Sequence, residues 1–117
     1  IFPEGTTNRS TQIKPFKTGA FEAVAGVQGA SVLPLHLSIL EIDGLPVDTA
    51  TRERVIWADG SDSFMAHFLT LLRLRTTHFR IRTGGLIPAE GLDRKELAQR
   101  AFAAVDALRR EAAEYAD

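Results

Sequence analysis

With 117 residues and 44 % hydrophobic side chains, the chain has the size of one domain and enough apolar surface for a core, which excludes a disordered segment. Its 14 basic residues nearly balance 15 acidic ones, so the composition gives no sign of a nucleic-acid binder or an acidic tail, and any charged site must be local. Cysteine is absent and the three histidines are scattered, which rules out disulfides and thiolate metal sites and fits a reducing compartment.

Ile1 and Phe2 read as the end of a strand whose beginning is missing, because Pro3, Gly5 and the polar run of residues 6–12 cannot extend it. The chain is therefore expected to be part of a longer protein. Residues 18–28 carry Phe21, Val24, Ala25 and Gln28 at helical spacing, with Gly29 where a C-cap would stand. Residues 32–39, rich in Val, Leu and Ile, predict a buried strand. The longest apolar stretch, residues 32–40, is broken by Pro34, His36 and Ser38 and falls far short of the roughly 20 residues that cross a bilayer.

Strand, loop, helix and strand in this order resemble a right-handed crossover between parallel strands, whose first loop lies where ligands bind. A polar connection with an Asp-Gly turn follows over residues 41–54, then a short strand over residues 55–57. Ser61 is placed to cap a helix lined by Phe64, Met65, Phe68, Leu69 and Leu72. Thr77, Phe79 and Ile81 alternate with His78, Arg80 and Arg82, the period of a half-exposed strand with a basic side. Asp93 and Glu96 form a capping box ahead of a closing helix whose stripe is Leu97, Ala101, Ala104, Val105, Leu108 and Ala112. One α/β domain over residues 1–117 accounts for these elements.

Phe2-Pro3-Glu4-Gly5-Thr6 sets a rigid residue, a carboxylate, a flexible glycine and a hydroxyl directly after the first apolar pair. Gly5 can take a positive φ and let backbone N–H groups converge on an anion. Arg9 offers a planar fork for phosphate oxygens, and Lys14 and Lys17 add point charges. Glu4 opposes them unless a polyol headgroup supplies hydroxyl donors. The spacing alone also admits an ordinary turn followed by solvated charges.

Three blocks in order, Ile1 to Thr6 with Arg9, then Phe16-Lys17-Thr18-Gly19-Ala20-Phe21, then Val32-Leu33-Pro34-Leu35, resemble the second half of the phospholipid/glycerol acyltransferases, the lysophosphatidate acyltransferase family. The resemblance implies an α/β fold, part of a mixed, mostly parallel sheet flanked by helices, with residues 1–117 as the C-terminal portion of one acyltransferase domain. It also implies that Pro3, Glu4, Gly5 and Thr6 bind the phosphate and glycerol of the acyl acceptor, with Arg9 and Lys17 as the nearby cations. Many members have arginine directly after the threonine; Thr7 stands here, which moves the expected phosphate contact to Arg9. The Val32 to Leu37 block either borders the acyl donor or is a buried strand bent at Pro34.

Members of that family pair a catalytic histidine with an aspartate, the two separated by four residues, ahead of the Phe-Pro-Glu-Gly-Thr block. No histidine here matches: at that spacing His36 meets Glu41, His67 meets Leu72 and His78 meets Thr83. The expected activity of the whole protein is acyl transfer from acyl-CoA or acyl-carrier protein to a lysophospholipid such as 1-acylglycerol-3-phosphate, at the cytoplasmic face of a membrane reached through a preceding region, without a further cofactor, metal or nucleic acid. The catalytic pair is expected upstream of Ile1, and the isolated chain is expected to be inactive. The alternative is a non-catalytic phosphate-binding or interaction module derived from that fold.

Overall fold

A computed structural model describes residues 1–6, 12–56 and 63–114. The chain divides into two compact units.

The first unit comprises Ile1–Gly5, Ile13–His36 and Ile81–Asp117. It holds a 3₁₀ turn at Thr18–Phe21, strand β1 at Ser31–Val32, and, after a long excursion of the chain, strand β5 at Ile87–Pro88 and helix α3 at Arg94–Glu114. β1 and β5 pair antiparallel, Ser31 opposite Pro88 and Val32 opposite Ile87. The short ladder is extended by the Ala89 N–H donating to the Ala30 carbonyl at 2.9 Å and the Gly26 N–H to the Ala89 carbonyl at 3.0 Å.

Helix α3 forms because its residues are mostly strong helix formers behind a complete capping box. Asp93 Oδ1 accepts from the Lys95 and Glu96 amides, while Glu96 Oε2 accepts from the Asp93 amide at 3.1 Å. Its buried stripe, Leu97, Ala98, Ala101 and Leu108, follows helical spacing, and the first three close on Phe21 and Ala89 to make the core. Leu97 is fully buried, and removing such a side chain from water is worth about 1.5–3 kcal/mol. Phe16 joins this core from the chain just before the 3₁₀ turn, stacking on Phe21 at 6.3 Å and meeting Phe102 edge to face at 5.4 Å.

The second unit comprises Thr6–Gln12 and Leu37–Arg80. Strand β2, Leu35–Ile42, turns back at Asp43-Gly44 into strand β3, Leu45–Pro46, with Ile42 opposite Leu45. Both turn residues have positive φ, 53° and 79°, the geometry of a two-residue hairpin whose twist suits the strands. Helix α1, Thr49–Val55, is capped by Asp48, and helix α2, Phe64–Leu72, by Ser63. Strand β4, Thr77–Thr83, completes a three-stranded sheet of order β3-β2-β4. The Asp43 carboxylate fastens the hairpin to the start of β4 by accepting from the Arg75 amide at 2.7 Å and the Thr76 amide at 3.0 Å.

Several sequence expectations are corrected. Ile1 and Phe2 are not in a strand. The helix over residues 18–28 shrinks to one 3₁₀ turn followed by turns, because Gly26, at φ 72°, leaves the helical region. Pro34 interrupts the strand over residues 32–39, separating β1 from β2. The connection over residues 41–54 contains β3 and most of α1, and Val55 ends that helix instead of opening a strand. Ser63 caps α2; Ser61 and Trp57 lie outside the described residues. The ladders β1/β5 and β2/β3 are both antiparallel, so the mostly parallel sheet implied by the resemblance is not shown among the described residues. No helix among them is long and apolar enough to cross a membrane.

Candidate functional site

Pro3 and Glu4 occupy a tight turn that Gly5 closes by donating its N–H to the Phe2 carbonyl at 3.2 Å. Gly5 has φ 67°, a conformation costly to any residue with a Cβ. The turn is held on its other side by the Lys17 N–H, which donates to the Pro3 carbonyl at 2.8 Å. Because Phe16 is set in the core beside Phe21 and Phe102, its neighbour Lys17 inherits a fixed backbone position. The core therefore positions the turn through two consecutive residues.

Glu4 is half-buried, and its Oε2 accepts from the Lys14 backbone N–H at 2.7 Å. The carboxylate thus acts first as an acceptor that ties residues 4 and 14 together. The Lys17 side chain lies across Gly5: a Cβ added there would sit 2.8 Å from Nζ and 2.9 Å from Cδ and Cε. An exposed ammonium thereby lies over a glycine whose bare backbone leaves room for it. Thr6 follows directly and is exposed.

Of the residues singled out from the sequence, Pro3, Glu4, Gly5 and Lys17 come together in the first unit. Arg9 lies outside the described residues, as do Thr7, Asn8 and Ser10. Lys14, expected to supply a point charge, donates its backbone amide to the Glu4 carboxylate. No side-chain pattern could reveal that role, since any residue except proline supplies it.

The histidines do not assemble a second centre. Glu41, set five residues after His36, instead contacts His78, with Nδ1 to Oε2 at 2.8 Å across β2 and β4. Among the described residues no group of three or more His, Asp or Glu side chains could hold a metal ion. The Val32 to Leu37 block is a broken strand in which Pro34 is buried and its carbonyl accepts from the Gly84 N–H at 2.9 Å.

Residues 1–38 match a family model described as Acyltransferase. Over 105 residues the chain is 36 % identical to a lyso-ornithine lipid O-acyltransferase of Pseudomonas aeruginosa, covering 90 % of this chain and 38 % of that protein. Over 107 residues it is 32 % identical to a lyso-ornithine lipid O-acyltransferase of Brucella abortus, covering 85 % of this chain and 39 % of that one. The chain thus spans less than half the length of these relatives. No solved structure matches it.

Proposed function

Since this chain belongs to the phospholipid/glycerol acyltransferase family, we propose that it supplies the acceptor-binding part of an enzyme that acylates the hydroxyl of a lysolipid. The observation that carries this reading is the turn at Pro3 to Gly5, in the segment that matches the family, which brings a tethered carboxylate and the Lys17 ammonium together.

Pro3, Glu4, Gly5, Thr6 and Lys17, with Arg9 beyond the described residues, bind the acceptor headgroup in this proposal. The acyl donor is the thioester of coenzyme A or acyl-carrier protein. A histidine and aspartate pair from a preceding part of the protein takes the hydroxyl proton as the oxygen attacks the thioester carbonyl; an ester forms, the carbon–sulfur bond breaks and the thiol leaves with a proton. The fixed turn contributes by orienting the hydroxyl, an entropic saving made before the chemical step. The whole enzyme works at the cytoplasmic membrane face, and its sheet is mixed and mostly parallel once completed.

For the acceptor, two chemistries compete. Lysophosphatidate presents a phosphate, which Lys17 and Arg9 suit and Glu4 opposes. Ornithine carries both a carboxylate and an ammonium group, which are opposite in charge to Lys17 and Glu4 respectively, and Thr7 removes one cation from a phosphate clamp. The names of both relatives support the same choice, so lyso-ornithine lipid is the proposed acceptor. The test is an acyl-transfer assay on the full-length protein with either acceptor. Glu4→Ala and Lys17→Ala are each expected to lower kcat/KM for lyso-ornithine lipid roughly 10- to 100-fold, the worth of a charged hydrogen bond. Unchanged kcat/KM in both variants would refute the headgroup assignment, and a wild-type preference for lysophosphatidate would refute the choice of acceptor.

A further inference from the structure

Helix α2 presents an apolar surface outward. Phe64, Met65, Phe68, Leu69, Leu71 and Leu72 are all exposed, from 37 % at Leu71 to 64 % at Leu72. At 100° per residue these six positions cover an arc of about 160°. The opposite arc carries His67 and Thr70, the half-buried residues of the helix, and α1 packs against α2. The Phe64 and Phe68 rings stack at 6.2 Å, so the outward face is preformed. Arg73 caps the helix C-terminus and Arg75 follows, both exposed.

Charge along the chain bears on the same region. Residues 63–89 contain four arginines and no acidic residue, leaving 10 basic against 15 acidic residues elsewhere. The stretch that contains the exposed apolar helix thus carries arginines and no carboxylate of its own. At about 14 Å the helix is far too short for a hydrocarbon core of about 30 Å, but it suits a position lying in the interface. We infer that α2 docks on an anionic lipid surface, with its Phe64/Phe68/Leu72 side among the acyl chains and Arg73 and Arg75 at the headgroups. This goes beyond acceptor binding: it is a second lipid contact, on the other compact unit, and it does not depend on which lysolipid is acylated.

The chain has no cysteine, so an environment-sensitive fluorophore can be placed at a single introduced site. Leu72→Cys reports on α2 and Ala103→Cys, exposed on α3, serves as the control, each in the full-length protein, with any cysteine outside these 117 residues replaced, mixed with vesicles of phosphatidylcholine alone or with phosphatidylglycerol. The label at position 72 is expected to shift to the blue and to be quenched by a lipid-borne quencher on the anionic vesicles only, while the control stays unchanged. Replacing Arg73 and Arg75 by glutamine is expected to weaken partitioning about fivefold per charge, about 25-fold together. Three outcomes overturn the inference: no response at position 72, an equal response at both sites, or a label at position 72 already shielded without vesicles, which would mark a protein-covered face. Binding that is indifferent to the arginine replacements would overturn the headgroup role.

Discussion

Gly5 and Lys17 form one device from two kinds of contact. The Lys17 amide holds the turn through the Pro3 carbonyl, and the Lys17 side chain covers the glycine that closes it. Gly5→Ala meets both at once. A Cβ at φ 67° costs about 1–2 kcal/mol of local strain, and the methyl group must displace the ammonium that lies 2.8 Å from its position. The expected result is a folded but less stable chain, seen as a lower thermal midpoint by circular dichroism, and in the full-length enzyme a higher KM for the acceptor. Lys17→Met should leave the melt near that of the wild type while raising KM similarly, because it keeps the amide and removes only the charge. A normal KM in both variants would detach this turn from acceptor binding.

At the scale of elements, α3 was legible and α1 was not, for reasons that lie in the residues. The capping box at Asp93 and Glu96 and the stripe from Leu97 to Leu108 are local signals that the fold leaves intact. At the end of α1, by contrast, Val55 and the extended Ile56 after it carry β-branched side chains that favour a strand, while the helix is started by Asp48, whose Oδ1 accepts from the Thr51 amide at 2.7 Å. β3 is two residues long and has no pattern to read; its pairing follows from the turn at Asp43-Gly44. In the candidate site, Glu4, Gly5 and Lys17 could be picked out by type, whereas the ties through the Lys14 and Lys17 amides are backbone contacts that leave no mark in composition.

Two helix caps and an ion pair within α3 also set a pH dependence. Amides of Glu96 and Lys95 hold the Asp93 carboxyl below its ordinary value of 3.8, Thr51 does so for Asp48, and Arg109 for Asp106. A carboxyl whose pKa is lower folded than unfolded stabilises the fold above the ordinary value and ceases to do so as pH falls through the folded pKa. Thermal midpoints measured between about pH 2 and 6 are expected to drop below pH 3.8, and Asp93→Ala to lower the midpoint at neutral pH while flattening that drop. An unchanged acid limb in the variant would show that the cap does not carry the linkage.

For the whole molecule, the first unit makes one core serve two ends of the chain. Leu97 on α3 is in the cluster with Phe21, Phe16 stacks on Phe21, and Lys17 follows Phe16 into the site. Leu97→Ala is expected to cost about 2–5 kcal/mol, read from denaturant unfolding, and to speed hydrogen exchange at the Lys17 and Gly5 amides, although α3 supplies none of the site residues. Exchange that accelerates only within α3 would mean that the turn holds its shape independently of this core.

The double role of Lys17 has a practical outcome for re-engineering. Its amide fixes the backbone whatever the side chain is, so Arg, Gln or Glu at position 17 changes the charge and reach offered to a headgroup without rebuilding the loop. In the proposed acceptor site, position 17 is accordingly a dial for acceptor choice, with Glu4 as its opposing setting, and a small panel of paired replacements at these two residues is expected to retune which polar group is accepted while the rest of the scaffold is left alone.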